Sequence, residues 1–174
     1  MRAKLIADIG EGVRGHVTIG SSHYRSTFFL AEVLPIFRRE YPGVTVSLAE
    51  GTTKELEDLA YDSVTDLSLV IAPLFRSDLE YAELYRERYL LAMNPEARAA
   101  KTVPAGPAGT YPVMPFARLN DEPFIIIKQG QKFRNLYEDL CRDTRTRPRV
   151  MLESESPLAA LHLASAGVGA AFVT

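Results

Sequence analysis

Apolar and polar positions alternate along this chain in two rhythms. Residues 15–20 (Gly-His-Val-Thr-Ile-Gly) change character at every step, the period of a half-buried strand. From 26 to 41 the apolar residues Phe29, Leu30, Val33, Leu34, Phe37 and Tyr41 recur every three or four positions, which predicts a helix with one buried face. Pro35 lies inside it and removes a backbone donor, so a kink or a break and restart is expected there. Tyr41-Pro42-Gly43 ends it, because proline disfavours helical geometry in the residue before it. The β-branched run 44–48 is the next strand. A helix over 52–61 opens with Thr52 and Glu55 at capping-box spacing. The uniformly apolar run 66–71 reads as a third strand, central in its sheet. Two extended runs, 79–84 and 89–93, flank the charged stretch 85–88.

Pro104, Gly106, Pro107, Gly109, Pro112 and Pro115 crowd together within 101–115, a loop or a connection between substructures. Beyond it the rhythm resumes. A strand over 123–127 precedes a helix over 131–143 that turns Phe133, Leu136, Tyr137 and Leu140 inward. A strand over 149–152 follows, then a helix from Ser156-Pro157 to about Ala166, with a good cap residue and proline at its first position. A last strand begins at 168 and runs to 173. Strands alternating with helices predict α/β layers around a mostly parallel sheet, in two units divided by the proline-rich break.

Composition narrows the class. The 174 residues are 47% hydrophobic and 24% charged with a net charge of −2, the profile of a globular chain with one domain or two small lobes. No run of eighteen apolar residues and no leader-like stretch is present, so neither a membrane span nor a secretory signal is expected. The single cysteine, Cys141, excludes an internal disulfide and fits a cytoplasmic location. A near-neutral charge lacks the basic signature of a nucleic-acid surface.

Candidate chemistry gathers at four strand-to-helix junctions. They are Gly20-Ser21-Ser22-His23, Glu50-Gly51-Thr52-Thr53, Lys128-Gln129-Gly130-Gln131 and Glu153-Ser154-Glu155-Ser156. In a parallel α/β sheet such junctions lie at the carboxyl ends of strands, where ligands bind. Hydroxyl and amide side chains beside free helix-start N–H groups suit a small carboxylate. The competing reading is that these serines and threonines are only helix caps.

Other motifs carry less. Gly10-Glu11-Gly12-Val13-Arg14-Gly15 matches the dinucleotide fingerprint, but a strand follows it where a helix is required, so it reads as a turn. His16, His23 and His162 share no ligand spacing with one another or with Cys141, so no metal and no cofactor is expected. Cys141 sits among apolar neighbours without a resolving partner. Ser21 and Ser22 lack a nucleophile elbow. The basic residues between Lys132 and Arg149 are interleaved with acids and read as a solvated face.

In order along the chain, Gly15 to Ser22, Phe29 to Phe37, Tyr41 to Val44, Glu50-Gly51-Thr52-Thr53-Lys54-Glu55-Leu56, Asp66 to Leu69, Leu152-Glu153-Ser154 and Ala166 to Val173 resemble the effector-binding domain of LysR-type transcriptional regulators. The resemblance runs from residue 15 to the last residue. It implies a two-lobed type 2 periplasmic-binding-protein-like α/β fold, with a small effector, expected to be a carboxylate, in the cleft. It carries polar contacts from the first lobe to Ser21, Ser22, Thr52 and Thr53, and from the second to Lys128 and Gln129. It also implies transcription control through an N-terminal DNA-binding domain, assembly as a homodimer or homotetramer, and no enzyme activity. The pattern departs from the family at both ends. Residues 1–14 match only the tail of a linker helix, 15–93 the first lobe, and 94–174 a second lobe truncated at its C-terminus, so a fragment of a longer protein is expected. Two rivals share related folds: a solute-binding protein for transport, which would require export, and an enzyme, which would require a convergent acid, base or nucleophile.

Overall fold

The computed structural model describes residues 14–104, 107 and 110–174. Residues 10–13 of the glycine-rich turn expected over 10–15, most of the expected linker tail and four residues of the proline-rich loop lie outside the described residues, while Arg14 and Gly15 already belong to the first strand. The chain divides into two compact units, one ending at Ala82 and the other running Glu83–Thr174.

The first unit is built on β1 (Arg14–Ser21), β2 (Gly43–Glu50) and the short β3 (Leu67–Ser68), in the parallel order β2-β1-β3. β1 and β2 run in unbroken register from Arg14↔Gly43 to Ser21↔Glu50, which brings the carboxyl ends of both strands level. β1 is therefore central and β3 lies at an edge, the reverse of the position its apolar run predicted. Only two of the six residues over 66–71 pair as strand, flanked by backbone bonds from Asp66 N–H to Thr18 O at 2.9 Å and from Leu69 N–H to Gly20 O at 2.8 Å, while the Asp66 carboxylate accepts the Thr18 N–H at 2.8 Å. Gly20 permits the β1–β3 approach. A Cβ there would lie 2.3 Å from Ser68 Oγ and 3.2 Å from Leu56 Cδ2.

The helical stretch after β1 comprises one turn, α1 (His23–Arg25), a π-helical stretch Ser26–Leu30, and α2 (Ala31–Glu40). α2 runs through Pro35 without a break, and the irregularity sits a turn upstream in the π segment. Its predicted inward face is partly covered: Leu30 is buried, while Val33 and Tyr41 remain exposed. α3 (Thr53–Tyr61) follows β2 and buries Leu56 and Glu57. Ile19, Leu30 and Leu56 are the buried apolar side chains of this unit.

In the second unit, β4 (Leu90–Ala92) pairs antiparallel with β7 (Ala171–Val173), and β5 (Pro123–Ile127) pairs parallel with β6 (Arg149–Ser154). The pairing is thus mostly parallel, as expected, with the short β4–β7 pair the antiparallel exception among the described residues. A parallel bridge between Phe124 and Ala170 joins β5 to the start of β7. Gly169 makes that crossing possible, since a Cβ there would meet Pro123 O at 2.9 Å. α4 (Lys132–Thr144) and α5 (Pro157–Ser165) connect the strands, and Ser156 caps α5 with its Oγ accepting the Ala159 N–H at 3.2 Å. The core contains Phe124, Ile125, Ile126, Ile127, Phe133 and Phe172, with Phe124 and Phe172 in an edge-to-face contact at 5.4 Å. The expected runs over 79–84 form no strand.

Candidate functional site

Two of the four junctions meet in the first unit. Because Ser21 and Glu50 are register partners, the turns that leave β1 and β2 begin side by side, and the Gly51 N–H donates to Ser21 O at 3.2 Å. His23 Nδ1 lies 2.9 Å from Glu50 Oε2, bringing the first turn against the second. The register, a non-local feature, creates this cluster of polar groups from residues thirty positions apart.

Within the cluster the predicted site residues differ in what they have left to offer. Ser21 is fully buried and its Oγ donates to Ser22 O at 3.3 Å. Ser22 Oγ accepts the Arg25 N–H at 3.3 Å, so its own O–H remains a donor. Thr52 is closed on Glu55: its N–H and its Oγ1 both donate to Glu55 Oε2 at 2.8 Å, and Glu55 N–H returns to Thr52 Oγ1 at 3.4 Å. These two hydrogen bonds, the backbone one first, hold the Glu55 carboxyl below the ordinary carboxylate range. Thr53 opens α3, and the first N–H groups of that helix have no intrahelical acceptor. Its hydroxyl makes no hydrogen bond among the described residues, so Thr53 and Ser22 are the open donors here.

The other two junctions meet in the second unit by the same logic. β5 and β6 are parallel neighbours, Ile127 pairs with Ser154, and the Lys128 N–H donates to Ser154 O at 2.9 Å. Lys128 Nζ is hydrogen-bonded to Glu155 Oε1, which raises the ammonium pKa. Its charge is therefore shared with a carboxylate across the turn. Gln129 is exposed and makes no hydrogen bond among the described residues. Gln131, which sequence reasoning placed in the junction but not in the site, donates from Nε2 to Glu155 O at 2.9 Å. Arg134 links α4 to β6 by donating to Glu138 at 2.6 Å and to Glu153 at 2.9 Å.

One buried acid escaped sequence reasoning altogether. Glu57 is 1% exposed, and its Oε2 accepts the N–H groups of Phe75 and Arg76, each at 2.8 Å. Its Oε1 is buried without a partner among the described residues. Arg76 reinforces the contact: its guanidinium pairs with Asp58 at 3.1 Å and Asp78 at 3.0 Å and lies 3.6 Å from the centre of the Tyr61 ring. A glutamate next to Leu56 on an amphipathic helix looks like a surface residue, and no local signal distinguishes it.

The remaining chemistry is quiet. Burial pushes the Cys141 thiol up, away from the reactive thiolate, and takes its neighbour Tyr137 up to about 12. Among the described residues no group of three or more His, Cys, Asp or Glu side chains is placed to hold a metal ion, and no helix is long and apolar enough to cross a membrane. A cavity of about 360 Å³ in the second unit is lined by Arg98, Ala99, Thr102, Arg118 and Glu122, and shares no residue with the junctions. Its polar groups satisfy one another: Arg98 Nε donates to Glu122 at 2.5 Å, and Arg118 donates to Thr102 O at 2.6 Å.

Comparison with known proteins gives the family and the fold. The family model described as the LysR substrate binding domain matches residues 10–174. An uncharacterised HTH-type transcriptional regulator of Bacillus subtilis, YwbI, is 26% identical over 147 residues, which cover 84% of this chain and 46% of that protein. The chain thus spans about half the length of the curated relatives it matches. Among solved structures, the regulatory domain of Synechocystis CcmR in complex with 2-PG superposes with a TM-score of 0.78 at 22% identity, covering 92% of this chain and 72% of that one. The effector-binding domain of BenM with its effector benzoate gives 0.73 at 19% identity, covering 93% and 71%. These likenesses carry the fold, the two-lobed periplasmic-binding-protein-like α/β architecture.

Proposed function

The chain belongs to the LysR substrate binding domain family, and from that premise we propose that it is the effector-sensing part of a cytoplasmic transcription regulator, responding to a small organic anion. The observation that carries the site is the Ser21–Glu50 register, which sets the turns after β1 and β2 side by side. Ser22 and Thr53 supply open hydroxyl donors, and the first N–H groups of α3 add the positive end of a helix dipole. Ser21 and Thr52 hold the turns in shape. In the second unit Lys128 and Gln129 supply further polar contacts, with Lys128 exchanging Glu155 for the ligand.

Binding regulates only if it favours one arrangement of the protein over another, so the ligand must contact groups whose positions differ between the two states. In this reading the two lobes, expected over 15–93 and 94–174, are the two compact units, whose division falls between Ala82 and Glu83. DNA contact and assembly as a homodimer or homotetramer belong to the parent regulator. Family membership favours this reading over a transport protein of the same fold.

Thermal denaturation of the chain against a panel of aromatic, sugar-derived and amino carboxylates tests the proposal. A ligand of the folded state raises Tm by mass action, by about 2.7 kcal/mol of stability at a hundred times Kd. Thr53→Ala should reduce the response. A flat response across the panel would rule out the sensing role.

A further inference from the structure

The first-unit cluster contains a group that an anion-binding site does not need. Glu50 ends β2 beside Ser21, immediately before the Gly51-Thr52-Thr53 turn. Its side chain is 32% exposed, and its one charged contact among the described residues is His23, whose Nδ1 lies 2.9 Å from Oε2. No lysine or arginine pairs with it among the described residues, and Oε1 has no hydrogen-bond partner among them. An ionised carboxylate can only accept hydrogen bonds. Glu50 therefore adds an acceptor and a negative charge at the start of the turn that leads to Thr53, beside the end of β1 that leads to Ser22.

Glu55 cannot supply that acceptor. Its Oε2 is taken by both the N–H and the hydroxyl of Thr52, and it serves the cap of α3. The two nearby acids differ: Glu55 shapes the turn, and Glu50 has one oxygen without a hydrogen-bond partner among the described residues.

We propose that Glu50 is a specificity-determining residue of this site, and that the ligand class is a carboxylate bearing a hydroxyl or an ammonium group next to its anionic end. The inference rests on the reading above that the turns after β1 and β2 hold the effector. A plain carboxylate gains the donors but meets the Glu50 charge. A hydroxy or amino acid satisfies the donors with its carboxylate and Glu50 Oε1 with its O–H or N–H. His23 holds Oε2, so the free oxygen is presented in one orientation.

Mandelate, phenylglycine and phenylacetate share one skeleton and differ only in the α substituent: hydroxyl, ammonium or hydrogen. Titrating each into the isotope-labelled chain, with backbone amide shifts as readout, separates the two layers of the argument. The expected result is saturable shifts at Ser22, Gly51 and Thr53, with mandelate or phenylglycine bound about tenfold more tightly than phenylacetate. Glu50→Gln removes the charge and should bring the pair within about threefold, chiefly by tightening phenylacetate, a gain that a misfolded variant cannot give. Equal affinities at these same amides, or an unchanged preference in Glu50→Gln, overturn the role of Glu50 and leave the site standing. Shifts confined to other residues, or none with any of the three, overturn the site and this inference with it.

Discussion

Thr52 and Glu55 close on each other through three hydrogen bonds, two at 2.8 Å into Glu55 Oε2 and one at 3.4 Å back to Thr52 Oγ1. This reciprocal cap fixes the start of α3, and so the position of Thr53. Thr52→Ala should cost ~1 kcal/mol, read as a lower midpoint in denaturant melts.

The same pair predicts an acid limb. The folded-state pKa of Glu55 is depressed, so its contribution to stability is complete above the unfolded value and is lost as pH falls through the folded one. Stability should decline from about pH 5 downward. Glu55→Gln should flatten that part of the profile, measured as Tm against pH.

Glu57 anchors the segment after β3 to α3. Truncating it to alanine leaves the Phe75 and Arg76 N–H groups without their acceptor. The expected loss is ~2–4 kcal/mol, with faster amide hydrogen exchange at both positions than in the wild type. Unchanged exchange at Phe75 and Arg76 would show that another acceptor replaces it.

Gly20 is required by closeness. Gly20→Ala drives a Cβ into Ser68 Oγ and Leu56, and should destabilise by ~1–3 kcal/mol. Combining it with Ser68→Gly removes the nearest obstruction, so the double variant should recover part of the loss in the same denaturant assay.

Lys128 and Glu155 test the second-unit contribution. The pair is exposed, so Glu155→Gln should change stability by less than about 1 kcal/mol. If Lys128 meets the effector's anion, releasing it from Glu155 should tighten binding, and Lys128→Met should weaken it. Calorimetric titration with a ligand found in the thermal screen reads both.

Much of the architecture was legible in local pattern. The strands at β1, β2, β5 and β6 follow from alternation and β-branching. The starts of α3 and α5 follow from Thr52 with Glu55 and from Ser156 with Pro157, because caps are satisfied within three residues. The family was legible too, since its motifs occur in order. The apolar run over 66–71 misled, because hydrophobicity reports burial and says nothing about whether a backbone finds a partner. Pro35 misled in the same way: a proline inside a helix weakens one hydrogen bond without deciding whether the helix ends.

The sequence by itself determined the α/β class, the helix starts and the four polar junctions, since each depends on contacts a few residues long; the division between units, expected at the proline-rich break, falls instead between Ala82 and Glu83. Tertiary structure decided which junctions meet, through the Ser21–Glu50 and Ile127–Ser154 pairings. It also decided which hydroxyls remain open and which acid is buried. Thr52 and Thr53 are the same residue type at adjacent positions, yet one is spent on Glu55 and the other is open. Glu50, Glu55 and Glu57 are chemically identical in sequence. One ends β2 against His23, one caps a helix and one binds backbone N–H groups from the interior, because a carboxylate's role is set by the groups that packing brings to it.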